Sequence, residues 1–324
     1  MKRFSLLFTP QRLFVFFLGI MLVPNIFLCF TEPLPALFKG AYILIPGALY
    51  LLLLNLSRRP GIIFLALLPL HFVGAVQLVL LYLFGHSIIA SDMYLNIFTT
   101  NSGEALELLD KLAPAVIGVL LLYLPALILA VCSIRRSERV SPQFRKRTFI
   151  LAMLMLGSGA ALYHSAHRQA PQKARLDNLY PINAFNNARF AIESWKASQQ
   201  YRESSRDFDY RASSTRESQQ PEVYILVIGE TSRAANWGLY GYDRNTTPRL
   251  CARPEIIRFD DVLTPINATH KSVPLMLCAA GATDFRQIYR QKSLITAFGQ
   301  AGFRTAFLSN QRHNGSFTEV FADE

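Results

Sequence analysis

Five apolar runs crowded ahead of residue 164 constrain this chain more than any other feature. They extend from Leu13 to Phe30, Ala41 to Leu56, Gly61 to Phe84, Ala115 to Ile134 and Phe149 to Tyr163. A hydrocarbon core about 30 Å thick takes roughly 20 helical residues. The second and fifth runs are short by that measure, and the fifth contains Gly157-Ser158-Gly159. Of the 324 residues, 51% are hydrophobic, and the mean hydropathy is +0.24. That is too apolar for a soluble enzyme of this length, and the excess sits in the first half. Residues 1–163 are therefore expected to form a membrane domain of about five transmembrane helices. The first run follows Lys2, Arg3 and Arg12, and no small-residue cleavage site succeeds it, so it reads as an uncleaved anchor.

The formal charge of +11 could suggest nucleic acid. Many of the basic residues, however, sit in short clusters between apolar runs, where membrane topology accounts for them. Lys2, Arg3 and Arg12 flank the first run, Arg58 and Arg59 follow the second, and Arg135 to Arg147 separate the fourth from the fifth. The three clusters share one side only if each run crosses once, and the positive-inside rule makes that side cytoplasmic. The loop from His86 to Pro114, with Asp92, Glu104, Glu107 and Asp110, then lies outside, as does everything after Tyr163. A nucleic-acid partner is not expected.

Residues 164–220 read as a linker. Within it Phe185, Ala188, Ile192 and Trp195 recur at spacings of three and four, on one helical face. That face could lie in the membrane interface, with Trp195 at headgroup depth, or pack on the following domain; both stay open. Arg202 to Gln219 has no apolar period and reads as a tether.

At Pro221 the character changes. Val223 to Ile228 is a continuous apolar run rich in β-branched residues, the pattern of a strand buried on both faces of a parallel sheet. Leu294 to Gly302 predicts a helix with a glycine cap, and Thr305 to Ser309 a second buried strand. Strand, crossover and strand predict the start of an α/β domain over 221–324. Ligands in such sheets bind at the carboxyl ends of strands, where Glu230 would sit as a candidate metal ligand. A second candidate is Asn267 to Pro274. A hydroxyl ahead of a helix with proline in its first turn would set a nucleophile near a positive helix end. A plain turn before a core helix carrying Leu275, Met276 and Leu277 fits the same residues.

Gly229-Glu230-Thr231-Ser232-Arg233-Ala234 and then Gly241-Tyr242-Asp243-Arg244-Asn245-Thr246-Thr247-Pro248 closely resemble the signature of the membrane phosphoethanolamine transferases. That family belongs to the alkaline phosphatase and sulfatase superfamily and includes the lipid A modifying enzymes. The resemblance implies five amino-terminal helices in a bacterial inner membrane, followed by a periplasmic alkaline-phosphatase-like catalytic domain. Carried over by position, Glu230 looks like a Zn2+ ligand and Thr269 like the metal-bound nucleophile. Lys271 and His270 stand near enough to contact phosphate. Thr100-Asn101-Ser102-Gly103-Glu104-Ala105 resembles the family's short polar motif facing the active site, which makes Asn101 and Glu104 candidate substrate contacts; a solvated acidic loop is the plainer reading of Glu104. The implied chemistry takes phosphoethanolamine from phosphatidylethanolamine through a threonine intermediate to lipid A or another envelope glycan.

Two features depart from the family. Lipid A modifying members carry a disulfide bracketing the nucleophile, whereas Pro265 and Leu275 stand in those places here. Cys251 and Cys278 could pair instead, while Cys29 and Cys132 fall in or beside apolar runs as inert packing residues. The family also completes its zinc site with an Asp-His pair and a further His downstream of the segment resembling Thr305 to Asn310. His164, His167, His270 and His313 are the histidines after residue 163, and none follows an Asp. The chain is accordingly expected to be an amino-terminal portion of a longer enzyme, with an incomplete α/β domain, inactive alone. Two other readings fit the same features: a phosphoglycerol transferase of the lipoteichoic acid synthase type, and a non-catalytic membrane protein.

Overall fold

The structure is a computed structural model that describes residues 9–85, 88–99, 102–137, 139–215, 220–229, 232–264, 266, 269–309 and 317–324. Side chains are described for these residues except 96–99, 102–111, 270 and 318. The chain divides into two compact units, Met1–Glu193 and Ser194–Glu324.

The first unit is helical. Helix α1 spans Pro10–Thr31 and α2 spans Ala36–Leu54. Next come α3 (Pro60–Ala66) and α4 (Leu68–Phe84), then α5 (Ser91–Thr99), α6 (Ser102–Arg135), α7 (Pro142–Gln169) and the start of α8 (Ile182–Gln199). Hydroxyl–proline pairs open two of them. Thr9 Oγ1 accepts from Arg12 N ahead of Pro10, and Ser141 Oγ accepts from Phe144 N ahead of Pro142. Each hydroxyl satisfies an otherwise orphaned amide, and each proline occupies a position whose N–H needs no helical partner.

Four of these helices, α1, α2, α7 and the Leu112–Arg135 part of α6, are long and apolar enough to cross a membrane. The bent pair α3 and α4 makes up to five if it counts as one span. The bend of 62° falls at Leu67. Pro69, in the first turn of α4, has no N–H to continue the ladder. The break leaves the Phe64 carbonyl without its helical donor, and the His71 ring takes that role through Nε2 at 2.8 Å. The short second run gains a turn at its start, since α2 begins at Ala36. The short fifth run becomes a helix of 28 residues whose first turns carry Arg145, Lys146 and Arg147.

The ends of the bundle are tied by different bonds. At one end Val140 N donates to Arg58 O at 2.8 Å, Asn55 Nδ2 donates to Thr148 Oγ1 at 2.9 Å, and Phe14 meets Phe144 edge to face. Arg12, Arg58, Arg59 and the basic stretch between α6 and α7 therefore gather at that end. At the other end Asn25 Nδ2 donates to Tyr180 O at 2.8 Å, and Tyr180 N donates to the Tyr42 hydroxyl at 3.1 Å. Gln77 Oε1 accepts from Ile89 N there, while Asn187 Nδ2 donates to Ile89 O. Each bond joins segments far apart in sequence at a site sheltered from water, where an unmet polar group would cost about 1–3 kcal/mol.

The second unit departs from the expected strands. Among its described residues none is in a β-ladder. Val223, Ile225 and Val227 are more than 80% exposed, and Leu308 is 94% exposed. A strand needs hydrogen-bonding neighbours along its edges, and no described segment runs beside 223–228 in that way. Tyr224 meets Phe303, two residues ahead of the second run, edge to face at 5.9 Å. The core of this unit is instead Tyr201, Val273, Leu277, Ile288, Phe317 and Phe321.

The expected tether is also different. Tyr201 opens the one-turn helix α9 (Tyr201–Ser204), is 2% exposed, and donates from its hydroxyl to Gln291 O at 3.0 Å. Ser204 Oγ donates to Tyr289 O, and Tyr210 OH donates to Lys292 O at 2.6 Å. Residues 201–210 are thus a strap held by three hydroxyls. Their lack of apolar period hid this, because the strap is fixed by polar groups rather than by a hydrophobic face.

Candidate functional site

Two further elements belong to the candidate site: α10 (Pro248–Cys251), which follows the Gly241–Pro248 motif, and α11 (Thr269–Leu277), in the segment expected to carry the nucleophile. The second begins at Thr269 itself, so Pro274 stands in its second turn rather than its first. Val273 and Leu277, four apart, are buried at 8% and 4% exposure and fix α11 to the core. Thr269 is exposed at the opposite, amino-terminal end. Met276, expected in the core, is 52% exposed.

A helix amino terminus carries partial positive charge and orients free amides towards an anion. Lys271 adds a full charge in the same turn, where the dipole disfavours a cation. Its Nζ lies 5.7 Å from the centre of the Phe285 ring, a cation–π contact that offsets part of this. The side chain of His270 is outside the described residues.

Glu230 and Asn101 lie outside the described residues. Glu104 is on α6, in the first unit, and its side chain is likewise outside them. No group of three or more His, Cys, Asp or Glu among the described residues could hold a metal ion. Zinc takes three or four ligands in such sites, so the described residues alone do not make a zinc site. Cys251 and Cys278 are both free thiols. Cys278 is half-buried, and burial pushes its thiol pKa up, towards the inert protonated form.

The Gly241–Pro248 motif has a visible local purpose. Thr246 Oγ1 accepts from Gly238 N at 3.0 Å and donates to Asn236 O at 2.7 Å. Thr247 Oγ1 accepts from Leu239 N at 2.9 Å. Gly241, at φ +92°, lets the chain reverse between the two, a conformation a side chain would strain. Arg258 Nη1 closes the loop by donating to Leu239 O at 3.0 Å while its guanidinium lies over the Tyr240 ring. The two threonines therefore hold the stretch that follows Glu230 and Thr231. Arg258 had no signal in the sequence, because its partner is a carbonyl 19 positions away.

A second polar cluster escaped the sequence reading. Ser293, fully buried, caps α12 (Leu294–Gln300) and also donates from Oγ to Glu324 Oε2 at 2.7 Å. Ser293 N and Thr296 Oγ1 reach the same oxygen, and the Tyr201 hydroxyl donates to Glu324 Oε1. Helix α13 (Phe317–Val320) leads into this carboxylate. The serine ahead of an apolar helical run was the one legible sign of the cap.

Comparison with known proteins adds two family models. The phosphoethanolamine transferase EptA/EptB model matches residues 47–170, and the sulfatase model matches residues 222–324. The protein YhbX of Escherichia coli (strain K12) is 29% identical over 276 residues, covering 77% of this chain and 49% of the relative. Phosphatidylethanolamine transferase Mcr-1 of Escherichia coli is 26% identical over 253 residues, 74% of this chain and 45% of the relative. Phosphoethanolamine transferase EptC of Escherichia coli (strain K12) is 33% identical over 97 residues, 29% of this chain and 17% of the relative. The chain thus spans about half the length of the relatives that it matches along most of its own. No solved structure matches it.

Proposed function

This chain belongs to the phosphoethanolamine transferase family of the sulfatase superfamily, and from that premise we propose that it moves phosphoethanolamine from phosphatidylethanolamine to lipid A or another envelope glycan. The reading places the helical unit in a bacterial inner membrane, with the basic end cytoplasmic and the second unit, built towards an α/β fold, periplasmic. Thr269 is its nucleophile. The observation that carries it is the seat of Thr269: an exposed hydroxyl on the first residue of a helix anchored by Val273 and Leu277.

In the proposed step Thr269 Oγ attacks the donor phosphorus and a new P–O bond forms. The bond to the diacylglycerol oxygen breaks, and that oxygen leaves with the proton that the threonine gives up. The helix end and Lys271 favour the negative charge gathered on the phosphoryl oxygens. An acceptor hydroxyl or phosphate then displaces the threonine. Asn101 and Glu104 are the proposed contacts to the substrate. Zinc belongs to the reading through Glu230 and Thr269, where it would lower the pKa of the hydroxyl. Two ligands are fewer than zinc takes, so no step is derived through it.

The test is peptide mass spectrometry on protein purified from membranes of the host that expresses its gene. A phosphoethanolamine adduct on Thr269, absent from Thr269→Ala, is the expected result. A glycerol phosphate adduct would point to the lipoteichoic acid synthase type instead, and an unmodified Thr269 in the presence of donor lipid would remove the reading.

A further inference from the structure

Helix α8 turns amides inward and leaves large apolar side chains exposed. Asn183 and Ala191 are each 1% exposed, Ala184 is fully buried and Ser194 is 7% exposed. Asn187 Nδ2 donates to the Ile89 carbonyl at 2.8 Å from the same side. Beside them Phe185 is 52% exposed, Ile192 46% and Trp195 43%, with Ala188 between them. Helical geometry at 3.6 residues per turn sets these two groups on neighbouring arcs, with exposed Arg189, Glu193 and Lys196 on the arc beyond. A surface helix in water buries its apolar stripe; α8 instead leaves an apolar arc exposed between its buried arc and its charged one, the arrangement of a helix at a boundary between apolar and polar surroundings.

The place of the first turns of α8 in the helical unit fits lipid. Ala184, Leu179 and Tyr180 share a core cluster with Leu28, Phe38, Tyr42, Leu81 and Ala166. Those residues belong to the ends of α1, α4 and α7 and the start of α2, all at the end of the bundle away from Arg58. The apolar face is therefore carried at the level where the spans finish. Exposed aromatic side chains lie at the ends of the same spans: Phe30 at 82%, Phe84 at 57% and Tyr82 at 55%. Tyrosine and tryptophan, the types of Tyr82 and Trp195, are enriched at the headgroup level of a bilayer. Arg189 and Lys196, seven apart and so on the same flank of the exposed face, can reach lipid phosphate while their stems cover acyl chain. Arg189 is paired with Glu193 at 3.3 Å, an exposed contact that leaves the guanidinium at the surface.

We propose that α8 lies in the plane of the bilayer interface, with Phe185, Ile192 and Trp195 in the acyl boundary and Arg189 and Lys196 against phospholipid phosphate. The inference rests on α8 itself, which begins in the helical unit and continues past Glu193, and goes beyond the transferase reading; its failure would leave that reading in place.

Trp195 and Trp237 are the two tryptophans of the chain, so Trp237→Phe makes Trp195 a single reporter. The full chain is reconstituted in vesicles of phosphatidylethanolamine and phosphatidylglycerol whose acyl chains carry bromine near the carbonyl or near the methyl end. Shallow bromine is expected to quench Trp195 about twofold or more above deep bromine, as an interfacial depth requires. Emission insensitive to both lipids overturns the proposal. Aqueous iodide then tells which alternative holds, a water-facing helix if it quenches and a face covered by protein if it does not. Should Trp237→Phe fail to fold, the unaltered protein is irradiated with a phosphatidylethanolamine bearing a diazirine beside its headgroup. Labelled peptides from 182–199 support the assignment, and labels confined to the spans refute it.

Discussion

Gly159 of α7 lies against Ile45 of α2 so closely that a Cβ on the glycine would stand 2.8 Å from Ile45 Cγ1 and 3.2 Å from the Ile45 backbone nitrogen. Two residues earlier, Gly157 has nothing within 4 Å of the same position. The pair makes a controlled comparison within one helix. Gly157→Ala should be neutral or slightly stabilising, because alanine favours helix by about 1 kcal/mol over glycine. Gly159→Ala gains the same propensity but must displace backbone as well as side chain, and overpacking of that kind costs about 1–3 kcal/mol. Thermal melts of the detergent-solubilised chain should therefore rank Gly159→Ala below Gly157→Ala. Equal melting temperatures would contradict the packing of α2 on α7.

Asn183 offers a prediction of the opposite sign. Its side-chain oxygen and nitrogen are both buried with no hydrogen-bond partner among the described residues. A buried amide that has given up water and found no replacement is a standing cost of about 1–3 kcal/mol. Asn183→Leu, which keeps much of the volume and drops the polar atoms, should raise the melting temperature. A lower one would mean that the amide has a ligand or partner beyond those residues, and that Asn183 is functional.

These two residues also show what the sequence could disclose. The apolar runs announced the bundle, and the basic clusters announced which helix ends would meet, because hydrophobicity and charge act through composition alone. Which glycine of Gly157-Ser158-Gly159 touches a neighbour is a matter of helix rotation, and no periodicity in so apolar a segment fixes it. The expected strand at Val223 is in no ladder among the described residues for a related reason: apolar content indicates burial, but the ladder that would bury it depends on distant segments. At the candidate site the Thr246-Thr247-Pro248 stretch was visible as a motif. Its bonds to Asn236, Gly238 and Leu239 were not, since they depend on the loop's three-dimensional return. The strap at Tyr201 was missed for the same cause.

The strap carries a pH dependence. Burial raises the Tyr201 phenol above its ordinary pKa near 10, and the hydrogen bond to the Glu324 carboxylate adds to this. The folded chain therefore holds its phenolic proton where the unfolded chain releases it. The contribution is complete below about pH 10 and declines as pH rises further, by about 1.4 kcal/mol per pH unit. Urea unfolding followed by tryptophan fluorescence should show this alkaline decline in the native protein. In Tyr201→Phe the decline should be shallower, on a lower baseline, since the bond to Gln291 O is lost as well. An unchanged slope would remove Tyr201 from the linkage.

Thr246 links the motif to local order. Its hydroxyl accepts from Gly238 N and donates to Asn236 O, so Thr246→Val keeps the shape and removes both bonds. Loss of two such bonds is worth about 1–3 kcal/mol. Exchange of the Gly238 amide with deuterium should accelerate by about tenfold or more, one decade per 1.4 kcal/mol. Thr246→Ser should restore protection, because the hydroxyl rather than the methyl makes the contacts. Equal exchange in the native and valine proteins would show that the turn is held by Gly241 and Arg258 alone.

The last prediction separates chemistry from folding at Thr269. The residue is exposed, while Val273 and Leu277 hold the helix it opens. Thr269→Ala should therefore melt within about 0.5 kcal/mol of the native protein, as exposed substitutions usually do, and yet carry no phosphoethanolamine. Val273→Ala acts in the other direction. It removes buried methyls from the core, costs about 1–3 kcal/mol, and lowers the adduct only in proportion to the unfolded fraction. Thr269→Ser keeps a hydroxyl at the same helix end and should keep a measurable adduct. If Thr269→Ala destabilises the chain as much as Val273→Ala does, the residue is a structural cap. The nucleophile would then have to be sought elsewhere.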